Sequence, residues 1–377
     1  MGDCLIVRRG GTRKAVSYKI WTVNIDQSNS NPLTCCTYAD DAIGMTKGSS
    51  DWDDIFGYKP CIMKDGVVQG YLNPNDFTKY KDGSSAPITD ATYDVMIEFP
   101  RMGLNISTSG DVITVKITEA PNSGSFQYYA HKRGSTQKDY FYLGAYLATG
   151  SSNKIGSNSG LEPLADTTLT DFITYAHNRD TGYEIMGFYQ WTYIQALYIL
   201  KYGNLNSQVA LGQGFVAGEF ALTTGECNAK GMCYGNASSK TDRVKLFGLE
   251  DCWGNLTQLI SGFYCDSNYN LLTTTDNFST DEDPNSWEFI NSSGLDSDVT
   301  GLYLSKAQGT NNGGFSPIIC DGDPDTYYSD VATLFASCFP LVGGGYCIDD
   351  YAGIFYFNVE LQSSLSGELG GSRLMFL

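Results

Sequence analysis

The chain has 377 residues, 42% of them apolar; that supplies a sizeable core, excludes global disorder and leads to an expectation of two domains. Its formal charge of −18 disfavours a phosphate backbone or a bare anionic membrane as partner, so nucleic-acid binding is not expected. Charged residues make up only 18%, while Tyr (26) and Gly (42) are abundant, the profile of a turn-rich β or α+β protein.

In chain order, residues 1–7 hold too short an apolar run for a secretory signal, and Arg8-Arg9-Gly10-Gly11 follows where it should continue. With no apolar stretch of membrane-spanning length, no membrane insertion is expected. Residues 1–155 read as β-rich. Strands are predicted at 18–25, 95–99 (stopped by Pro100), 112–117 and 140–147, from their alternation and β-branched content. Turn clusters at 73–76 and 81–85 separate them. The Gly/Ser/Asn-rich stretch 150–160 is the candidate boundary between segments 1–155 and 156–377, though it also reads as a long surface loop.

Helical spacing follows. Leu169, Phe172, Ile173 and Ala176 form one apolar face, and Thr168 with Asp171 makes a capping-box pattern. Trp191, Ile194, Leu197 and Tyr198 share the face of a longer helix that Gly203 should terminate. That helix is nearly apolar all round, so it should be central and buried. Loops and short strands come next. Near the end, Gly343-Gly344-Gly345 reads as a hinge feeding a strand in which Ile354 and Tyr356 point one way and Phe355 and Phe357 the other. Large residues on both faces imply burial on both, so the last residues should belong to the core.

Few residues suggest chemistry. The eleven cysteines are scattered without a C-x-x-C, and His131 and His177 are the only histidines, so no zinc cluster is expected. Reduced thiols are the simplest reading, with Cys227 and Cys233 the pair near enough to bridge. Cys338 and Cys347 flank a Gly-rich turn as a soft-metal pair would, but no Met or His lies between them to complete a site. Gly212-x-Gly214 follows a helix rather than a strand, which favours tight packing over a phosphate loop. His177 lies on the polar side of the first helix near its end, the place of a solvated or capping histidine, and a Ser-His-Asp triad would need it or His131. Asp281-Glu282-Asp283 and Asp321, Asp323 and Asp325 offer oxygen ligands for a structural calcium ion, but neither run has the spacing of a helix-flanked calcium loop. No metal or cofactor is therefore expected beyond that possibility.

The stretch Phe247-Gly248-Leu249-Glu250-Asp251-Cys252-Trp253-Gly254-Asn255-Leu256 resembles the Gly-Leu-x-Asp-x-x-Gly-Asn-Val signature of the formylglycine-generating-enzyme branch of the C-type-lectin fold. Gly343-Gly344-Gly345-Tyr346 resembles its Arg-Gly-Gly-Ser-Trp turn, and Gly371-Ser372-Arg373 its closing Gly-Phe-Arg. With Ala352-Gly353-Ile354-Phe355-Tyr356, the chain resembles the variable proteins of diversity-generating retroelements, of the phage tail-fibre type. The resemblance implies an α+β fold. A C-type-lectin-like ligand-binding domain at 156–377, of the formylglycine-generating-enzyme subclass, would follow a β-rich assembly or attachment domain at 1–155. The variable segment would be about 338–377.

The family's framework positions fall here on Gly248, Asp251, Gly254, Asn255, Gly343, Gly353, Phe355, Tyr356 and Arg373. The resemblance implies a solvent-facing, ligand-binding patch at Tyr346, Cys347, Ile348, Asp350, Tyr351, Val359, Glu360, Leu361, Leu365 and Gly367. The alternative for Ile348, Val359, Leu361 and Leu365 is an ordinary core role. The implied function is non-enzymatic binding of a host cell-surface protein or glycan receptor at a tail-fibre tip. Other tail proteins would be held through the N-terminal domain, in a homo-oligomer such as a trimer. The implied location is the virion, after synthesis in the bacterial cytoplasm. Two rivals remain, a formylglycine-generating-type thiol oxidase and a bacterial surface adhesin. Against the oxidase, Thr257-Gln258-Leu259 stands where the enzymes carry Trp-Glu-Trp, and Cys338 and Cys347 fall in or beside the segment expected to vary; from the variable proteins the chain departs at Tyr346, which replaces their usual Trp.

Overall fold

The computed structural model describes residues 5–6, 15–121, 124–151, 153–276, 278, 287–292 and 298–377. The fold is mostly β-sheet with few helices, which is compatible with a C-type-lectin-like fold. Asp281, Glu282 and Asp283 lie outside the described residues.

Strand alternation builds the first sheet. Cys36–Asp40, Ile20–Asp26, Val112–Thr118 and Gly103–Ser109 pair antiparallel in that order. The register sets Trp21 against Ile117, Val23 against Val115, and Ile25 against Ile113, and it continues to Leu104 and Ile106. All eight are buried, so one face of this sheet is core while Asn24, Lys116 and Ser107 occupy the other.

The second sheet has seven antiparallel strands, in the order Tyr183–Ile185, Leu374–Phe376, Tyr140–Gly144, Asp94–Pro100, Lys59–Lys64, Val67–Asn73 and Asp76–Tyr80. The last strand of the chain is thus internal, paired on both edges. That arrangement bears on the expected division at residue 155. Strands from both sides of it share this sheet, and one continuous core runs from Trp21 to Leu377. The stretch 150–160 enters through a hairpin, Thr149–Ser151 with Lys154–Gly156, rather than through a linker. The halves do not pack as separate bodies because the C-terminal strand finds its backbone partners in the N-terminal half.

The third sheet is mixed, in the order Val299–Tyr303, Val331–Leu334, Gly353–Leu361, Phe339–Gly343, Thr257–Leu259 and Gly370–Ser372. Val331–Leu334 runs parallel to Gly353–Leu361, and Thr257–Leu259 parallel to Gly370–Ser372. The Gly353–Leu361 strand is buried through Val359, as large side chains on both faces demand.

Between the sheets lies the Phe188–Tyr202 helix, every residue of which is buried. Three of its buried polar side chains tie it to its surroundings: Gln190 Nε2 donates to Ala130 O (2.6 Å), Gln195 Nε2 to Ile354 O (2.9 Å), and Tyr198 Oη to Asn204 O (2.8 Å). Gly203 ends it in the left-handed region at φ 51°. The Leu169–His177 helix begins as its capping pattern predicts, with Asp171 N–H donating to Thr168 Oγ1 at 3.0 Å.

Candidate functional site

The Phe247–Leu256 stretch is a buried platform. Phe247, Gly248, Asp251, Gly254 and Asn255 all take positive φ, so the chain here reverses repeatedly within a few residues. Such a backbone needs its polar groups satisfied from outside. Gly248 N–H donates to Met232 O (2.6 Å) and Asn255 N–H to Phe215 O (2.8 Å), while the Asn255 side-chain amide donates to Leu222 O (3.1 Å) and Asp251 Oδ2 (2.8 Å) and its Oδ1 accepts from Leu222 N–H (2.8 Å). Arg243 Nε donates to Asp251 Oδ1 (2.8 Å), and its Nη2 reaches both Asp251 Oδ2 and Glu250 Oε1. Burial alone would pull Arg243 down, but the two carboxylates outweigh it and hold the guanidinium above its ordinary value. Glu250 in turn accepts from Gly225 N–H and Cys227 N–H, both at 2.7 Å.

Arg373 fastens this platform to the sheets. Its guanidinium is inaccessible to solvent and donates to Gln258 Oε1 (2.9 Å), Gly144 O (2.8 Å), Glu250 O (2.6 Å) and Asp251 O (3.2 Å). Gln258 is oriented by its own amide, which donates to Asp251 O and Cys252 O.

Against the platform stands the hairpin of Phe339–Gly343 and Gly353–Leu361, whose tip is residues 344–352. The tip backbone is clamped by neighbouring segments. Gly254 N–H donates to Gly344 O (3.0 Å), Tyr346 N–H to Asn255 O (2.9 Å), Gly218 N–H to Tyr346 O (2.6 Å), and Asp349 N–H to Val216 O (3.0 Å). Gln208 Nε2 donates to Asp349 O (3.2 Å) and Ala352 O (2.6 Å), while Ile354 N–H donates to Ser207 Oγ (3.1 Å). Gly353 lies against the buried Asp330, whose Oδ2 accepts from Phe355 N–H (2.7 Å); a Cβ at 353 would collide with that carboxylate. Burial holds Asp330 well above the ordinary carboxylate range.

The candidate framework residues are therefore all interior, and the candidate patch residues differ among themselves. Cys347, Tyr351, Glu360, Leu365 and Gly367 are exposed; Tyr346, Ile348, Asp350 and Leu361 are half-buried. Gly367 faces open space, so a side chain there would meet nothing. Val359 is a correction: it is fully buried, packed in the core because it alternates out of phase with the exposed Glu360. The patch is also not one cluster. Tyr346, Cys347, Ile348, Asp350 and Tyr351 share the tip, whereas Leu361 pairs with Phe339 at the far end of the strand. Tyr356, Asn358 and Glu360 link the two ends, for Asn358 Nδ2 donates to Tyr356 Oη (3.1 Å) and Glu360 Oε1 (2.8 Å). Ile348 packs over Gly344, so its role is partly structural.

Other expectations resolve simply. A Cβ on Gly212 or Gly214 would strike Asn236 or Trp253, which is the tight packing expected of that pair. His131 is buried beside Phe141 and Tyr193, and burial drives its pKa down to about 3, so it is a neutral core histidine. His177 is half-exposed and hydrogen-bonded to Glu184 Oε2 at 2.7 Å. Asp321 accepts from Ser305 Oγ, and Asp323 Oδ1 from Asp325 N–H. Among the described residues no group of His, Cys, Asp and Glu side chains is arranged to hold a metal. The sequence did not point to Arg243, Asp330, Gln208 or Ser207. Arg243 sits in the charged stretch Lys240-Thr241-Asp242-Arg243-Val244-Lys245, which hides its buried role.

Neither protein-family profiles nor curated protein sequences match this chain. Among solved structures, a Major Tropism Determinant P3c variant is similar over 88% of this chain and 73% of its own, at 13% identity and a TM-score of 0.32. The Major Tropism Determinant U1 variant covers the same shares at 12% identity and a TM-score of 0.29. Variable protein 1 of Treponema denticola is similar over 78% of this chain and 98% of its own, at 9% identity and a TM-score of 0.30. These names match the variable-protein class that the motifs resemble. Likeness of this depth carries no argument on fold or function, which rest on the residues themselves.

Proposed function

We propose that this chain is a ligand-binding variable protein of the diversity-generating-retroelement type, with a C-type-lectin-like C-terminal half of the formylglycine-generating-enzyme subclass. One observation carries the reading. Along residues 343–373, the positions with framework counterparts are buried, whereas the intervening ones at 347, 351, 360, 365 and 367 are exposed and 346 is half-buried. A backbone held from elsewhere can exchange such side chains at little cost in stability. The finer reading is a receptor-binding protein at a phage tail-fibre tip, exported in the virion and recognising a host surface protein or glycan. Strands within 1–155 would provide attachment to other tail proteins, in a homo-oligomer such as a trimer.

The rival thiol oxidase needs two cysteines that meet. Cys338 and Cys347 flank the Phe339–Gly343 strand at opposite ends, and five extended residues span about 17 Å. Cys338 is buried and Cys347 is exposed. This separation favours a non-enzymatic role.

The test is a library randomised at Tyr346, Cys347, Ile348, Asp350, Tyr351, Val359, Glu360, Leu361, Leu365 and Gly367, sorted for soluble folded protein and sequenced. Free substitution is expected at the exposed positions, apolar restriction at Val359, and partial restriction at Ile348. Equal intolerance at Cys347, Glu360 and Val359 would overturn the reading.

A further inference from the structure

Two tyrosines and a carboxylate meet at the hairpin tip. Tyr351, 46% exposed, stands edge-on to Tyr303, with ring centroids 5.7 Å apart and planes at 76°. Tyr303 ends the Val299–Tyr303 strand, outside the variable segment. Burial raises its phenol above the ordinary value, and Asp350, Tyr351, Asp330 and Asp349 add to that through their charge. Around this notch the carboxylates outnumber the bases. Asp349 is exposed and Asp350 is half-buried, while Lys240 is tied to Asp349.

An apolar rim adjoins it. Phe220 is 76% exposed and Val209 is 64% exposed. Phe220 is bracketed by Gly218, whose N–H holds Tyr346 O, and by Leu222, which Asn255 holds from both sides. Val209 follows Gln208, the residue that holds Asp349 O and Ala352 O. Both apolar side chains are therefore fixed beside the tip by segments that the variable residues do not encode.

We propose that this face takes a cationic side chain, a lysine or arginine of a partner protein, against the exposed ring of Tyr351, which Tyr303 holds edge-on, with Asp350 as its counter-charge. Phe220 and Val209 form a constant rim that contacts the partner's apolar surface. The proposal rests on the binding-face reading above and names the partner's chemistry. Aromatic faces attract cations through the ring quadrupole, and a flanking carboxylate adds direct charge attraction. The acidic surplus around the notch would speed encounter with a basic surface and reject an acidic one. A neutral glycan would make no use of that surplus.

Isothermal titration of the full chain with a hexa-arginine peptide, in low salt, tests the notch; a hexa-serine peptide is the neutral control. Binding of the arginine peptide alone is expected. Asp350→Asn combined with Tyr351→Ala should weaken it about tenfold, and Tyr303→Ala should weaken it severalfold. Asp82→Asn with Asp90→Asn, in turns elsewhere on the chain, should leave it unchanged. Unfolding midpoints of all variants establish that the fold is intact. Equal weakening by the control pair, or none from Asp350→Asn with Tyr351→Ala, overturns the proposal in favour of diffuse attraction by an acidic protein or of a neutral ligand such as a glycan. A free choice of residues at the tip in the library experiment would leave the binding-face reading standing even then, so the two failures are distinguishable.

Discussion

Replacing Arg373 by alanine removes the donor that ties four acceptors together. Gln258 Oε1 and the carbonyls of Gly144, Glu250 and Asp251 would each lose a bond inside a region closed to water. An acceptor left unsatisfied in the interior costs about 1 kcal/mol or more. The vacated volume admits water, which returns part of this, and removing a desolvated charge returns a little more. A net loss of about 3 kcal/mol remains. An unfolding entropy near 2 cal/mol/K per residue amounts to roughly 0.8 kcal/mol/K for a chain of this length, so the midpoint should fall by about 4 °C. Arg373→Lys should recover little, because one ammonium cannot replace a planar fork reaching four acceptors. Scanning calorimetry and urea unfolding would measure both variants. A midpoint within about 1 °C of the parent for Arg373→Ala would refute the argument that this guanidinium holds the platform to the sheets.

Gly353→Ala should destabilise by about 2 kcal/mol, because the new methyl group collides with the Asp330 carboxylate. In an Asp330→Ala background the same change should cost much less, and additive urea midpoints across the four proteins would sink the explanation. His177 has its pKa raised first by its hydrogen bond to Glu184, so its pairing stabilises most below about pH 6 and fades as pH rises through the folded value above 6.5. With the histidine half-exposed, His177→Gln should cost well under 1 kcal/mol at pH 5.5 and nothing at pH 9, measured as midpoint differences; a difference that grows with pH would reverse the sign of this linkage.

Much of the fold was legible because local pattern and tertiary role agreed. The all-apolar Phe188–Tyr202 helix is buried on every side, and the Thr168 cap starts its helix where the spacing placed it. The division at residue 155 did not emerge as a boundary, for a physical reason. Composition reports turns, and 150–160 does turn, but the pairing of Leu374–Phe376 with Tyr140–Gly144 is non-local and leaves no mark in either segment. The site was legible at its framework, where Gly and Asn occupy backbone conformations that other residues resist. Its surface was legible only in outline. Val359 and Glu360 are neighbours in sequence, and only the phase of the strand decides which of them faces solvent. The flanking Phe220, Val209 and Tyr303 carry no motif, since what sets them apart is exposure beside the tip rather than identity.

The arrangement explains how side chains could change here without loss of the fold. A loop that orders itself through its own side chains cannot accept substitution freely, because each change removes a contact that fixes the backbone. The 344–352 tip is ordered differently. Its carbonyls at 344, 346, 349 and 352 and its amides at 346 and 349 are bonded to residues 207–218 and 254–255, all outside the tip. Of these partners, Gln208 contributes a side chain and the rest contribute backbone, so the clamp itself has little to mutate. The entropy cost of fixing the tip is thus offset by bonds that exist whatever stands at Cys347 or Tyr351. On the proposed binding role, stability and ligand choice would reside in different atoms of the same residues: the backbone of the tip belongs to the fold, and its side chains would be available to a partner.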